Sequence, residues 1–256
     1  MQKCYILTPC LFHFGLSNHV VKVLNQSMLL MEPEASRCAA QHAPTRLLEP
    51  DMNLSTMNQM LEGESPEQII RSILALGKGT LLTTTFGDQS AVLLHMATQI
   101  CPELQVLWID TGYNTSATYR FSDLLIRRLD LNMQIYIPQM TSARRNVLMG
   151  GVPDIDDSLH AEFSRQVKIE PFQLATRHLR PEFWITGIRR DQTEFRRSLD
   201  TLSRTNEGYV KVAPLLDWNN DQMNDYLAKY DLPNETDYFD PTKAYESREC
   251  GLQTLI

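Results

Sequence analysis

The sequence predicts an α/β protein, a parallel twisted sheet with helices on both faces. Three observations predict it. Short β-branched and apolar runs alternate with amphipathic helical stretches of about 10–15 residues. The runs are apolar enough for buried strands, as a sheet covered on both faces requires. Each run ends in a turn of glycine, hydroxyl or charged residues before the next helix starts.

Ser65-Pro66-Glu67-Gln68 is a helix start: Ser at the N-cap, Pro at the first helical position, acid and amide in the first turn. Ile69, Ile70, Ile73 and Leu74 give one apolar face, and Gly77 and Gly79 stop the helix. "TLLTTTF" (80–86) reads as a strand and Gly87-Asp88-Gln89-Ser90 as a turn. "SAVLLHMATQI" reads as a helix with Val92, Leu93, Met96 and Ile100 inward. "QVLWID" (105–110) is a strand running into Asp110-Thr111-Gly112-Tyr113, and 115–129 is helical. "MQIYIP" is a strand, and 139–168 has no clear period, with Gly150-Gly151 and an acidic turn at Asp154–Asp157. A helix over 171–179 and a strand "FWITGI" (183–188) follow. "YVKVAPLL" is a strand or an extended segment, and "NNDQMNDYLAKY" is a helix capped by Asn219 or Asn220. Residues 1–51 lack a sustained period and read as an N-terminal extension, 52–232 as the α/β domain, and 233–256 as a flexible C-terminal tail.

Composition narrows the function classes. The chain has 256 residues, 43% hydrophobic and 21% charged, enough to bury a core. A net charge of −7 argues against non-specific binding to nucleic acid or an anionic membrane. No apolar run approaches the roughly 18–20 residues that span a bilayer. The opening "MQKCYILTPCLFHFGL" is broken by Pro9 and His13 and lacks a clean small-x-small cleavage site, so it reads as not secretory. Cys4, Cys10, Cys38, Cys101 and Cys250 are odd in number and irregularly spaced, which argues against a disulfide framework and a cysteine metal set. The expected compartment is the reducing cytoplasm.

In sheets of this class ligands sit beyond the carboxyl ends of the strands, so the strand-to-helix turns are the candidate site. In Thr83-Thr84-Thr85-Phe86-Gly87-Asp88-Gln89-Ser90, hydroxyls and backbone N–H groups gather at a helix N-terminus. That is an anion cradle or an ordinary capped turn; it is neither a Walker A loop nor GxGxxG. Asp110-Thr111-Gly112-Tyr113 offers a carboxylate for a ribose or metal, or a cap for the next turn. Residues 165–211 hold ten Lys or Arg against six acids, within an acidic chain. Arg189 and Arg190 follow a strand-end glycine, and arginine suits bidentate phosphate or sulfate contact. A solvated basic face is the competing reading. Cys250, near Arg248 and Lys243, is either a stray thiol or a thiol activated by positive charge.

The pieces "TTTFGDQSAVLLHM", "IDTGYNTSATYRF", "KIEPFQLA", "WITGIRRDQTEFRRSL", "VKVAPLLDWNNDQMNDYLAKYDLP" and "RECGL" occur in that order. Over roughly residues 55–256 the chain resembles the sulfonucleotide reductases, above all the 3′-phosphoadenylyl sulfate (PAPS) reductases. The arginine motif and the terminal ECGL are the specific part of this likeness. The resemblance implies an adenine nucleotide α-hydrolase-like, Rossmann-like fold, often homodimeric. It implies thiol attack by Cys250 on the sulfate sulfur, with a thioredoxin or glutaredoxin then releasing sulfite. It places Thr83, Thr84, Thr85, Gly87 and Ser90 in a phosphate-binding turn and Asp110, Gly112 and Tyr113 in a second nucleotide loop. Lys168, Arg189, Arg190 and Arg197 fall in anion-binding segments.

The related 5′-adenylyl sulfate (APS) reductases carry a [4Fe–4S] cluster on a Cys-Cys pair and a later CxxC. Neither "EFSRQVKIEP" nor the region after "DLPNETDYFDP" supplies these cysteines, so no cluster or other cofactor is expected and the phosphorylated substrate is favoured. Two departures stand out: Gln253 replaces the histidine of the usual ECGLH, and "DYFDPTKAYES" replaces a longer Gly-Tyr-x-Ser segment and basic run. Three alternatives accompany the leading reading: a cluster-free APS reductase, an ATP-cleaving adenylyl transferase, and a nucleotide-binding homologue without redox activity.

Overall fold

The computed structural model describes residues 53–243. The expected extension at 1–51, and Arg248, Cys250 and Gln253, lie outside the described residues. Helix α1 (Leu54–Leu61) precedes α2 (Pro66–Ala75), whose N-cap is Ser65, accepting from Gln68 N at 3.3 Å, with Pro66 at the first helical position. The chain then alternates β1 (Thr80–Thr84), α3 (Ser90–Ile100), β2 (Gln105–Ile109), α4 (Ser116–Arg128) and β3 (Asn132–Tyr136). Helices α5 (Ser142–Met149), α6 (His160–Ser164) and α7 (Glu170–Leu179) follow. A π-helical turn, Arg165–Ile169, joins the last two. Strands β4 (Phe183–Ile185), β5 (Leu202–Arg204) and β6 (Val210–Val212) lead to α8 (Asn220–Lys229). Asn219 caps α8 through a capping box with Gln222.

The strand order is β3-β2-β1-β4-β6-β5, all parallel except the β5–β6 pair. The sheet is therefore mixed rather than wholly parallel. The short β5–β6 hairpin turns at Gly208, whose φ of 96° suits glycine. Its three-residue strands are too short for a periodic signal. The expected strand at 183–188 stops at Ile185, although Thr186 N still donates to Val212 O at 2.9 Å. The stretch without clear period, 139–168, contains α5 and α6. Their polar, half-exposed faces carry little apolar rhythm.

Period-two burial explains the layers. Leu82, Val106, Phe183, Ile185 and Val212 face a core built with Ile70, Ile73, Val92, Met96, Leu125 and Met223 from α2, α3, α4 and α8. Leu81, Leu107 and Trp184 face the other way, onto Phe172 and Ala175 of α7. Helices thus cover both faces. Cys101 is buried at the C-cap of α3.

The order reverses at β1. The chain runs outward through β2 and β3, then returns to place β4 on the far side of β1. A crevice outside the carboxyl ends of β1 and β4 is the expected ligand position. The turns carrying residues 83–90 and 189–190 leave those two strands, the turn at 110–113 leaves the neighbouring β2, and Lys168 comes from the π-helical turn.

Candidate functional site

The β1–α3 turn is held in a tight shape by its apolar member. Phe86 is fully buried and packs edge-on against Trp108, ring centroids 5.0 Å apart. Phe86 and Gln89 both adopt left-handed backbone, φ 52° and 59°, a conformation costly for residues with a Cβ. Thr84 Oγ1 accepts from Phe86 N at 3.1 Å. Thr85 is exposed at the mouth of a small cleft with Trp108, Thr111, Asn114 and Lys168. Ser90 begins α3, and its buried Oγ has no hydrogen-bond partner. A polar atom left so at a helix N-terminus is an acceptor-seeking donor. Close approach at Gly87 comes from Tyr238, whose ring atoms would lie 3.1–3.3 Å from any Cβ there.

Thr83 belongs to the other face of β1, as its parity with Leu81 demands. Its Oγ1 accepts from Trp184 Nε1 at 2.8 Å. Thr83→Val should therefore cost about 1 kcal/mol in stability, by chemical denaturation, and leave nucleotide affinity unchanged.

In the second turn Asp110 acts as a cap. Its Oδ1 accepts from Gly112 N at 3.0 Å, Asn114 Nδ2 at 2.9 Å and the Tyr119 hydroxyl at 2.8 Å. Burial first, then the Asp110 hydrogen bond, pushes Tyr119 up to about 12. Gly112 has φ 78°, which lets the chain double back. Tyr113 donates to Asn146 Oδ1 at 2.8 Å and packs on Phe163.

The arginine segment divides. Arg189 is 5% exposed and crosses the switch point: Nη1 donates to Gln89 Oε1 at 2.8 Å, Nη2 to Asn220 Oδ1 at 2.7 Å. Burial lowers its pKa, and the Asp191 and Asp88 charges partly oppose this. Arg190 is tied to Leu199 O at 2.7 Å and to Asp217. Arg197 pairs with Glu194 in solvent, a contact of little energetic weight. Its neighbour Arg196 is buried at 5% beside Arg189, which the sequence reading missed. A buried guanidinium in an otherwise exposed 3₁₀ turn has no sequence signature. Thr83, Arg190 and Arg197 are thus engaged elsewhere in this structure. Thr84, Thr85, Gly87 and Ser90 lie along the β1–α3 turn, which Arg189 meets through Gln89, and the cleft beside Thr85 opens toward the end of β2 and Lys168.

Lys168 comes from the π-helical turn and is 5% exposed. Its Nζ donates to Asp240 Oδ2 at 2.5 Å and to Thr242 Oγ1 at 3.4 Å. The described start of the expected tail, 233–243, is laced over the same strand ends. Asn234 Oδ1 accepts from Gln89 N at 2.7 Å, and Asp237 O accepts from Thr115 Oγ1 at 2.8 Å and Thr118 Oγ1 at 3.3 Å. Asn234, Tyr238 and Asp240 were not singled out from the sequence, because nothing local marks a loop that docks at long range. Among the described residues no group of three or more His, Cys, Asp or Glu is arranged to hold a metal ion.

Known proteins share this fold. The structure is similar to that of phosphoadenylyl-sulfate (PAPS) reductase from Candida auris, solved as a phosphate complex. The TM-score is 0.62 at 22% identity, covering 73% of this chain and 91% of that one, and it shows a common fold. In sequence, the chain is 39% identical to phosphoadenosine 5′-phosphosulfate reductase of a Synechocystis species, covering 71% of this chain and 74% of the relative. It is 36% identical to the enzyme of that name from a Synechococcus species, covering 71% and 78%. Residues 79–240, which run from β1 through the Lys168–Asp240 pair, match the phosphoadenosine phosphosulfate reductase domain. The chain belongs to the phosphoadenosine phosphosulfate reductase family.

Proposed function

We propose that this protein reduces 3′-phosphoadenylyl sulfate to sulfite and adenosine 3′,5′-bisphosphate in sulfate assimilation. The observation that carries the reading is the Arg189–Gln89 contact, which brings the arginine segment onto the β1–α3 turn at the sheet's switch point. An anion there meets a buried guanidinium, the Ser90 hydroxyl and the N-terminus of α3. Thr84, Thr85, Gly87, Gly112, Tyr113 and Lys168 complete the proposed nucleotide site. This assignment is supported by the turns that carry them, beyond β1 and β2 and before α7, and by the family motifs.

The Cys250 thiolate attacks the sulfate sulfur. A Cys–S to sulfur bond forms, and the bond from sulfur to the bridging phosphate oxygen breaks. Adenosine 3′,5′-bisphosphate leaves with the electron pair, and the product is an S-sulfocysteine. A thiolate of thioredoxin or glutaredoxin then attacks Cys250 Sγ, and sulfite leaves with that bonding pair. A second thiol of the reductant resolves the mixed disulfide and frees Cys250. Two thiols become a disulfide as sulfur(VI) becomes sulfur(IV), so the balance closes without a flavin, metal or iron–sulfur cluster. The protein works in the cytoplasm, where thiols are kept reduced, and as a homodimer.

Intact mass after mixing reduced protein with PAPS, and separately with APS, tests the reading. The expected result is a sulfonate adduct on Cys250 with PAPS that thioredoxin removes. An adduct with APS instead reassigns the substrate. Tight PAPS binding without any adduct supports the redox-inactive homologue.

A further inference from the structure

Arg189 is buried, yet its two terminal nitrogens are held by uncharged acceptors, Gln89 Oε1 and Asn220 Oδ1. Asp191 approaches Nε at 3.3 Å without an aligned hydrogen bond and Asp88 acts through space, but the Asp191 side chain is 36% exposed and Asp88 is exposed, so water screens both.

We propose that Gln89 and Asn220 are positioning residues that fix Arg189 across the switch point while leaving its positive charge available to the anionic substrate. A carboxylate at either position would hold a guanidinium more strongly, because charge-assisted bonds are shorter and stronger. It would also cancel the charge that an incoming phosphate or sulfate needs. An amide carbonyl orients without cancelling.

Three further features support the assignment. Gln89 Nε2 donates to Asn224 Oδ1 at 3.0 Å, which sets the amide so that its oxygen, not its nitrogen, faces Arg189. Gln89 also holds a left-handed backbone, φ 59°, in a helix-entry position where it makes no side-chain cap. Asn220 is the first residue of α8, where the helix dipole favours aspartate over asparagine. The amide there runs against the local helical preference and suits the guanidinium instead.

The inference rests on the proposed anion site. Its test is Gln89→Glu and Asn220→Asp, each nearly isosteric. Binding of adenosine 3′,5′-bisphosphate is measured by calorimetry, and Tm is measured alongside. Asn220→Asp should hold or raise Tm, because it adds an ion pair, and Gln89→Glu should do so with the Asn224 amide turned to present its nitrogen to the new carboxylate, while affinity falls at least about tenfold for both. A purely structural role predicts the reverse, unchanged affinity with the bond kept. Wild-type binding together with unaltered variants overturns this inference alone. A wild-type protein that does not bind overturns the functional reading and this inference with it. If Gln89→Glu fails to fold, Asn220→Asp decides, since Asn220 is exposed and tolerates the change.

Discussion

Cys250→Ser is expected to abolish sulfite release, by roughly a thousandfold or more, while nucleotide affinity stays within about twofold. The effect is chemical before it is kinetic. A serine hydroxyl is a far weaker nucleophile than a thiolate at neutral pH. Were it to attack, the product would be a sulfate ester. That ester has no sulfur–sulfur bond for a second thiol to cleave, so sulfite could not leave with the electron pair. Binding should survive because the proposed cradle, Arg189, Ser90 and the α3 N-terminus, lies in the folded body. Sulfite assay and calorimetry on the same preparation check both halves. Retained turnover would sink the mechanism.

The second large effect is on stability. Asp240→Ala removes the carboxylate from the buried Lys168 ammonium, with side chains 4% and 7% exposed. Breaking such a pair costs about 3–5 kcal/mol, because the remaining charge stays desolvated. In a protein of this size that lowers Tm by roughly 10 °C. Adenosine 3′,5′-bisphosphate should recover part of the loss, since it supplies an anion to the same site and binds only the folded state. The pair also sets an acid limb. Burial alone would raise the Asp240 carboxyl, but the Lys168 charge and the Thr242 hydrogen bonds outweigh it and hold it below the usual range. A carboxyl depressed in the folded state contributes stability above its unfolded pKa of about 3.9, lost as pH falls through the folded value. Tm measured from pH 7 down to pH 3 should drop more steeply below about pH 4 in wild type than in Asp240→Asn. Parallel curves would count against the assignment.

The helices show how much of this was legible along the chain. Helices α2, α3 and α8 were readable almost to the residue, because a 3.6-residue apolar rhythm, joined in α2 and α8 by the caps Ser65 and Asn219, is written within a few positions. Helix α5 and strand β5 were not, being polar or only three residues long, whereas β6 falls within the segment "YVKVAPLL" read as a strand or extended. In the site, the turns themselves were visible as glycine, hydroxyl and arginine clusters. The partner of each side chain was not. Asp110, open to ligand or cap from the sequence, caps its own turn. Thr83 is turned to Trp184 by strand parity.

Local encoding therefore accounts for the alternating elements and the turns at the strand ends, and the family resemblance for Cys250 as the candidate nucleophile. Packing alone assigns Arg189 to Gln89, a hundred residues apart, and Lys168 to Asp240, seventy-two apart. Hydrogen bonds across such spans leave no period in a sequence. They exist only once the sheet reverses at β1 and sets two distant turns side by side.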